Sequence, residues 1–153
     1  MRFFLVDSIV ELEPGIRAIG IKNVTMSEDF LADHFPDRPI MPGMLILESM
    51  VQLADWVVRQ ASDFSTLGLA CGFESVKFRR IVQPSDQLRL EVRRLAGTDG
   101  MATFQGKAYR LDELVASASL TLELHPLEAY LDPEEARRAF QILYPSGTTK
   151  ESA

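Results

Sequence analysis

One stretch restricts the fold more than any other: PGMLILESMVQLADWVVRQASD, residues 42–63. Pro42 suits the first position of a helix, where its missing N–H costs nothing. The polar residues Glu48, Gln52, Asp55 and Arg59 are spaced four, three and four apart, so they form one narrow stripe on a helix. Nearly all the rest is large and apolar: Met44, Leu45, Ile46, Leu47, Met50, Val51, Leu53, Trp56 and Val57. A helix apolar over so much of its circumference has to be surrounded by protein.

The flanking segments supply strands to surround it. Residues 3–13 and 16–26 read as two strands joined at the turn signal EPG. DQLRLEVRRLAG alternates, with Leu88, Leu90 and Val92 on one face and Arg89, Glu91 and Arg93 on the other. TDG, residues 98–100, marks a hairpin turn. Alternation returns after it, with Ala116, Ala118, Leu120, Leu122 and Leu124 on one face. LGLACGFESVKFRRIV reads as two short strands or one bent strand, with Cys71 as a small buried apolar residue. The expected class is α+β: an antiparallel sheet curled around one long helix. Before that helix, SEDFLADHF reads as a short helix capped by Ser27 and stopped by Pro36. LDPEEARRAFQIL reads as a separate C-terminal helix with Asp132 as N-cap, and YPSGTTKESA as a frayed tail.

Composition removes several functions. The 153 residues suit one compact domain, and 46% hydrophobic content fits a globular chain. A formal net charge of -6 argues against nucleic-acid binding. The longest apolar run is broken by Glu48, Gln52 and Asp55, so no membrane span is expected. The N-terminus reads as a strand and not as a signal peptide. One cysteine and two histidines allow no internal disulfide and no usual closed zinc site. A reducing compartment, the cytoplasm, is the expected location.

Chemistry concentrates in HFPDRPIMPG, residues 34–43. Prolines 36, 39 and 42 each fix a φ angle and hold His34 in place. Glu48 follows one turn into the long helix among apolar neighbours, where desolvation favours a protonated carboxyl. A neutral imidazole and a protonated carboxyl form a workable acid/base pair. The Gly43 N–H, at the helix start, has no intrahelical acceptor and could polarise a carbonyl oxygen. From the residues alone, a packed histidine and a solvated glutamate fit equally well.

HFPDRPIMPGMLILESMVQL closely resembles the signature of the β-hydroxyacyl-acyl carrier protein dehydratases, the FabZ/FabA family. A second match is VKFRRIVQPSDQLRLEV, which resembles the strand pair around that family's Pro-Gly-Asp turn. The resemblance covers roughly residues 1–125 and leaves 126–153, the C-terminal helix and tail, outside the pattern. It implies a hot-dog fold. It also implies that His34 takes the α-proton of a β-hydroxyacyl thioester and that Glu48 protonates the departing hydroxyl. The Gly43 N–H would then steady the thioester oxygen, and the Ile40 carbonyl would orient the His34 ring. Gln52 is a further candidate for site support. The resemblance places His34 of one subunit opposite Glu48 of another, so a homodimer or larger oligomer of dimers is expected. No metal or organic cofactor is implied, and the substrate arrives on the phosphopantetheine of acyl carrier protein. Glutamate at this position resembles the FabZ branch, which implies dehydration without isomerisation.

Two departures accompany the match. Asp37-Arg38 stands where many relatives have Gly-His, and Pro84-Ser85-Asp86 where many have Pro-Gly-Asp. Lys77, Arg79 and Arg80, with Arg38, are the candidate docking patch for an acidic carrier protein. A hot-dog thioesterase and a non-catalytic acyl-binding subunit are the alternatives. The proline-framed histidine argues against the first, and intact His34 and Glu48 against the second.

Overall fold

The long helix α1 spans Gly43–Ala61, and a single antiparallel sheet curves around it. The computed structural model describes residues 4–145. The strands are β1 (Ser8–Glu13), β2 (Arg17–Asn23), β3 (Thr66–Phe78), β4 (Gln87–Thr98), β5 (Met101–Arg110) and β6 (Glu113–Pro126). Their order across the sheet is β1-β2-β4-β5-β6-β3, and α1 touches all six. This is the hot-dog arrangement.

The core forms where the two periodicities meet. Leu47, Met50, Leu53, Ala54 and Val57 of α1 are buried. They pack against Leu88, Leu90 and Val92 of β4, Phe104 of β5, and Leu120 and Leu122 of β6. Each such large side chain stabilises the fold by roughly 2 kcal/mol. Small residues let the sheet curl closely over the helix. A Cβ on Gly106 would stand 2.7 Å from Met50 Sδ, so a side chain there would push the helix off the sheet.

The turns follow the sequence. Asp99-Gly100 joins β4 to β5, with Gly100 at φ 89°. The alternating stretch beyond it is two strands, split by a hairpin at Leu111-Asp112. The first two strands are shorter than the alternation suggested, because pairing begins at Ser8 and ends at Asn23.

Three expectations need correction. The segment after β2 forms only a one-turn 3₁₀ helix, Asp29–Leu31, preceded by Glu28 and without a side-chain cap. Ser27 instead shares a hydrogen bond with Thr25, Oγ to Oγ1 at 2.9 Å. LGLACGFESVKF takes the second of its two expected forms, one bent strand, with register shifts between Ala70 and Gly72 and between Glu74 and Lys77. Cys71 falls within the first shift and is exposed, not buried. Burial on β3 stops after Gly68: Leu69 and Ala70 are exposed as well, because the strand runs on along the open edge of the sheet.

The C-terminal helix α2, Pro133–Leu143, starts as expected: Asp132 Oδ1 accepts from the Glu134 N–H at 3.0 Å. It lies against α1, with Phe140 5.7 Å from both the half-buried Trp56 and Phe64 between ring centroids. Arg137 adds an ion pair to Asp63 at 2.7 Å. Of the expected frayed tail, residues 146–153 lie outside the described part. Among the described residues no helix is long and apolar enough to cross a membrane.

Candidate active site

The loop between the 3₁₀ turn and α1 folds back on itself. The Phe35 N–H donates to the Arg38 carbonyl and the Arg38 N–H to the Phe35 carbonyl, at 3.1 and 3.0 Å. The Ile40 N–H donates to the His34 carbonyl at 2.8 Å. The Met41 N–H donates to the Val82 carbonyl at 2.8 Å, which ties the loop to the β3–β4 connection. Prolines 36, 39 and 42 give up donors that this turn does not use.

His34 is half-buried at the base of this loop. Its Nδ1 lies 2.9 Å from the Ile40 carbonyl oxygen. A carbonyl can only accept, so Nδ1 carries a proton, and in the neutral ring the lone pair is on Nε2. Phe35 stacks on the imidazole at 4.2 Å between centroids, covering one face of the ring.

Glu48 is also half-buried, on the second turn of α1. Its Oε1 accepts from Gln52 Nε2 at 3.0 Å. The Leu5 N–H donates to Gln52 Oε1 at 2.9 Å. That contact turns the amide so that its NH₂ end faces the carboxyl. Gly43 opens the helix, and a Cβ there would stand 2.8 Å from the Phe78 ring. Glycine therefore lets the β3 aromatic sit over the first amide of α1.

Within one chain the two halves stay separate: among the described residues no hydrogen bond or ion pair joins His34 to Glu48. The helix start and the His34 loop both border β3, through Gly43 against Phe78 and through Met41 bonded to Val82 just past the strand. β3 is an edge of the sheet, and its Leu69, Phe73, Val76 and Phe78 are 38–49% exposed.

The four candidate docking cations differ in their pairing. β3 ends at Phe78, so Arg79 and Arg80 lie beyond the strand. Arg80 Nε pairs with Glu113 at 2.5 Å, and Arg110 pairs with both Glu113 and Asp86 at 3.0 and 3.1 Å. Hydrogen bonds from Arg80 and Arg110 hold the Glu113 carboxyl below its ordinary range. Lys77, Arg79 and Arg38 are exposed and, among the described residues, have no ion pair.

Two buried charges carry contacts that the sequence did not reveal. Asp55 Oδ1 accepts from the Gly68 N–H at 2.7 Å and Oδ2 pairs with Arg59 at 2.6 Å, pinning α1 to β3. Burial pushes this carboxyl above its ordinary range, against the pull of Arg59 and the Gly68 N–H. Lys22 is 2% exposed, at the core-facing parity of β2 after Ala18 and Gly20. A charge at an inward period-two position was the available signal. Among the described residues no group of three His, Cys, Asp or Glu could hold a metal ion.

A family model for the FabA-like domain matches residues 1–119. The chain is 46% identical over 119 residues to the 3-hydroxyacyl-acyl-carrier-protein dehydratase FabZ of Caldanaerobacter subterraneus subsp. tengcongensis, covering 77% of this chain and 84% of that one. It is 44% identical over 123 residues to the protein of the same name from Symbiobacterium thermophilum, covering 80% and 87%. Among solved structures, smu.793 from Streptococcus mutans bound to acetyl CoA superposes with a TM-score of 0.64 at 16% identity, over 82% of this chain and 94% of that one. The dehydratase heterocomplex ApeI:P from Xenorhabdus doucetiae gives 0.64 at 15% identity, over 89% and 88%. These two likenesses are of fold. The chain therefore belongs to the FabA-like family, among the FabZ-type β-hydroxyacyl-acyl carrier protein dehydratases.

Proposed function

We propose that the chain removes water from a β-hydroxyacyl thioester on acyl carrier protein, giving the trans-2-enoyl thioester in fatty-acid or related lipid or polyketide biosynthesis. The observation that carries this reading is the His34–Ile40 hydrogen bond, which leaves Nε2 as an oriented base. Nε2 takes the α-proton. The electron pair moves toward the thioester carbonyl, whose oxygen meets the Gly43 N–H at the start of α1. As the double bond forms, the β C–O bond breaks and Glu48 gives its proton to the leaving hydroxyl, so water departs. Gln52 holds the Glu48 carboxyl at its angle. The elimination is redox-neutral overall, and His34 and Glu48 supply both proton transfers, so the proposed step uses no metal or organic cofactor. Glutamate as the acid favours dehydration without isomerisation.

We place the complete site between two subunits. A free edge of thirteen residues with exposed apolar side chains is a template for another strand, and a second copy of β3 is its natural cover. Such a homodimer brings Glu48 of one chain to His34 of the other. The acyl chain arrives from acyl carrier protein, with Lys77, Arg79 and Arg38 as free docking cations and Arg80 engaged by Glu113. The cytoplasm is the expected setting.

The test is turnover of a β-hydroxyacyl thioester, followed by the enoyl absorbance and by free thiol release. Enoyl product supports dehydration. Thiol release would indicate a thioesterase, and neither signal a binding subunit. His34→Ala and Glu48→Gln should each lower turnover by about two to four orders of magnitude with the fold intact. Near-normal turnover in either variant would overturn these assignments.

A further inference from the structure

The inward face of β2 carries Ala18, Gly20 and Lys22, and the last of these does not suit a core. Its ammonium is matched by two carboxylates. Asp7, just before β1, lies 3.7 Å away, and Glu28 makes the closer ion pair. An apolar side chain would fill the same position at less cost in desolvation. The difference is where Glu28 leads. It directly precedes the 3₁₀ turn Asp29–Leu31, and His34 follows three residues after that turn.

The other ties of this segment are sparse. Val24 is held by the β3–β4 loop, its N–H donating to Asp86 and its carbonyl accepting from Ser85, both at 3.0 Å. Leu31 is buried. Between them Thr25, Met26 and Ser27 are exposed. The far side of the His34 loop is fixed independently, by Ile40 and by the Met41–Val82 hydrogen bond. The near side is held by Leu31 and Phe30 at the core and by the charge pair.

We infer that Lys22 and Glu28 are positioning residues for His34, the pair fastening the near side of its loop to the sheet and so setting where the imidazole stands. This rests on the reading of His34 as the base. Neither residue touches substrate. Their effect is on orientation, which acts on the chemical step more than on binding.

Asp7 provides an internal control. It contacts the same ammonium but belongs to the β1 side, and its Oδ2 also accepts from the Asn23 N–H. Glu28→Gln should lower kcat about tenfold to a hundredfold with little change in KM, whereas Asp7→Asn should leave kcat within about twofold. A second readout does not depend on turnover. The chain has two histidines, so the imidazole nitrogen–proton spectrum contains only two ring systems. The His34 Nδ1–H signal should persist in the parent and in Asp7→Asn, and broaden in Glu28→Gln. If Glu28→Gln does not fold, Glu28→Asp keeps the charge, shortens the reach by one methylene and carries the same comparison. Unchanged kcat and an unchanged His34 signal in the Glu28 variant would overturn the inference, and so would equal losses in the Glu28 and Asp7 variants. An active His34→Ala protein would instead overturn the assignment of the base, whatever the spectrum shows.

Discussion

Replacing Ser85 with glycine should stabilise this protein. Ser85 occupies the third position of the turn Gln83–Asp86, closed by a hydrogen bond from the Asp86 N–H to the Gln83 carbonyl at 3.1 Å. Pro84 takes the second position, and Ser85 has φ 80°. A type II turn with proline second calls for a positive φ at the third residue, where glycine is free of strain. A non-glycine residue in that region is penalised by about 1–2 kcal/mol. Glycine loses about 0.5–1 kcal/mol through its freer unfolded chain. The midpoints of the two ranges leave about 0.75 kcal/mol in favour of glycine. For a chain of this length that is roughly 1–4 °C in Tm. Little opposes it. Ser85 is exposed, no hydrogen bond of its hydroxyl occurs among the described residues, and the Ser85 N–H to Val24 contact uses only backbone. The converse change sits elsewhere in the sheet. Gly100 has φ 89° and nothing within 4 Å of a built Cβ, so Gly100→Ala should lose about 0.5–1 kcal/mol for conformational reasons alone. Thermal unfolding at one fixed protein concentration measures both, because the Tm of an oligomer depends on concentration. A Ser85→Gly protein that melts at or below the parent would refute the reasoning.

Three further outcomes are expected. Refolding His34→Ala and Glu48→Gln chains together should restore about a quarter of parental activity, since half of the randomly paired dimers have one intact site of two. No recovery in proven heterodimers would put both groups on one chain. Lys77→Glu, Arg79→Glu and Arg38→Glu should raise KM for a carrier-linked substrate but not for a pantetheine thioester, while Arg80→Glu, which breaks the Glu113 pair, should affect both. Loss on neither substrate would move the search to Arg89, Arg93 and Arg94. The hydrogen bond from Arg137 holds the Asp63 carboxyl below its ordinary range. A lowered native pKa means stability present above the unfolded carboxylate range and lost as pH falls toward the folded value. Arg137→Gln should therefore flatten the acid side of a urea-unfolding profile, and an unchanged slope would show that this pair contributes nothing there.

The sequence by itself determined what depends on near neighbours. The apolar circumference of residues 42–63 required a surrounding sheet, and the alternation of 88–93 assigned the faces of β4. Asp132 and Pro133 marked the start of α2. Residues 34–43 marked the candidate site, because a histidine, its proline frame and its Ile40 acceptor are one local turn. Tertiary structure decided what depends on distant partners. Period-two alternation says which face a residue takes but nothing of the strand opposite, so the sheet order was not legible. Cys71 is exposed because β3 from Leu69 onward runs along the open edge of the sheet, which no local pattern announces. Arg80 looked like its neighbour Arg79 until Glu113, thirty-three residues away in sequence, came to pair with it. Leu5, forty-seven residues before Gln52, orients the amide that holds Glu48. Such contacts form only when the sheet closes around α1, and no local pattern of residues encodes them.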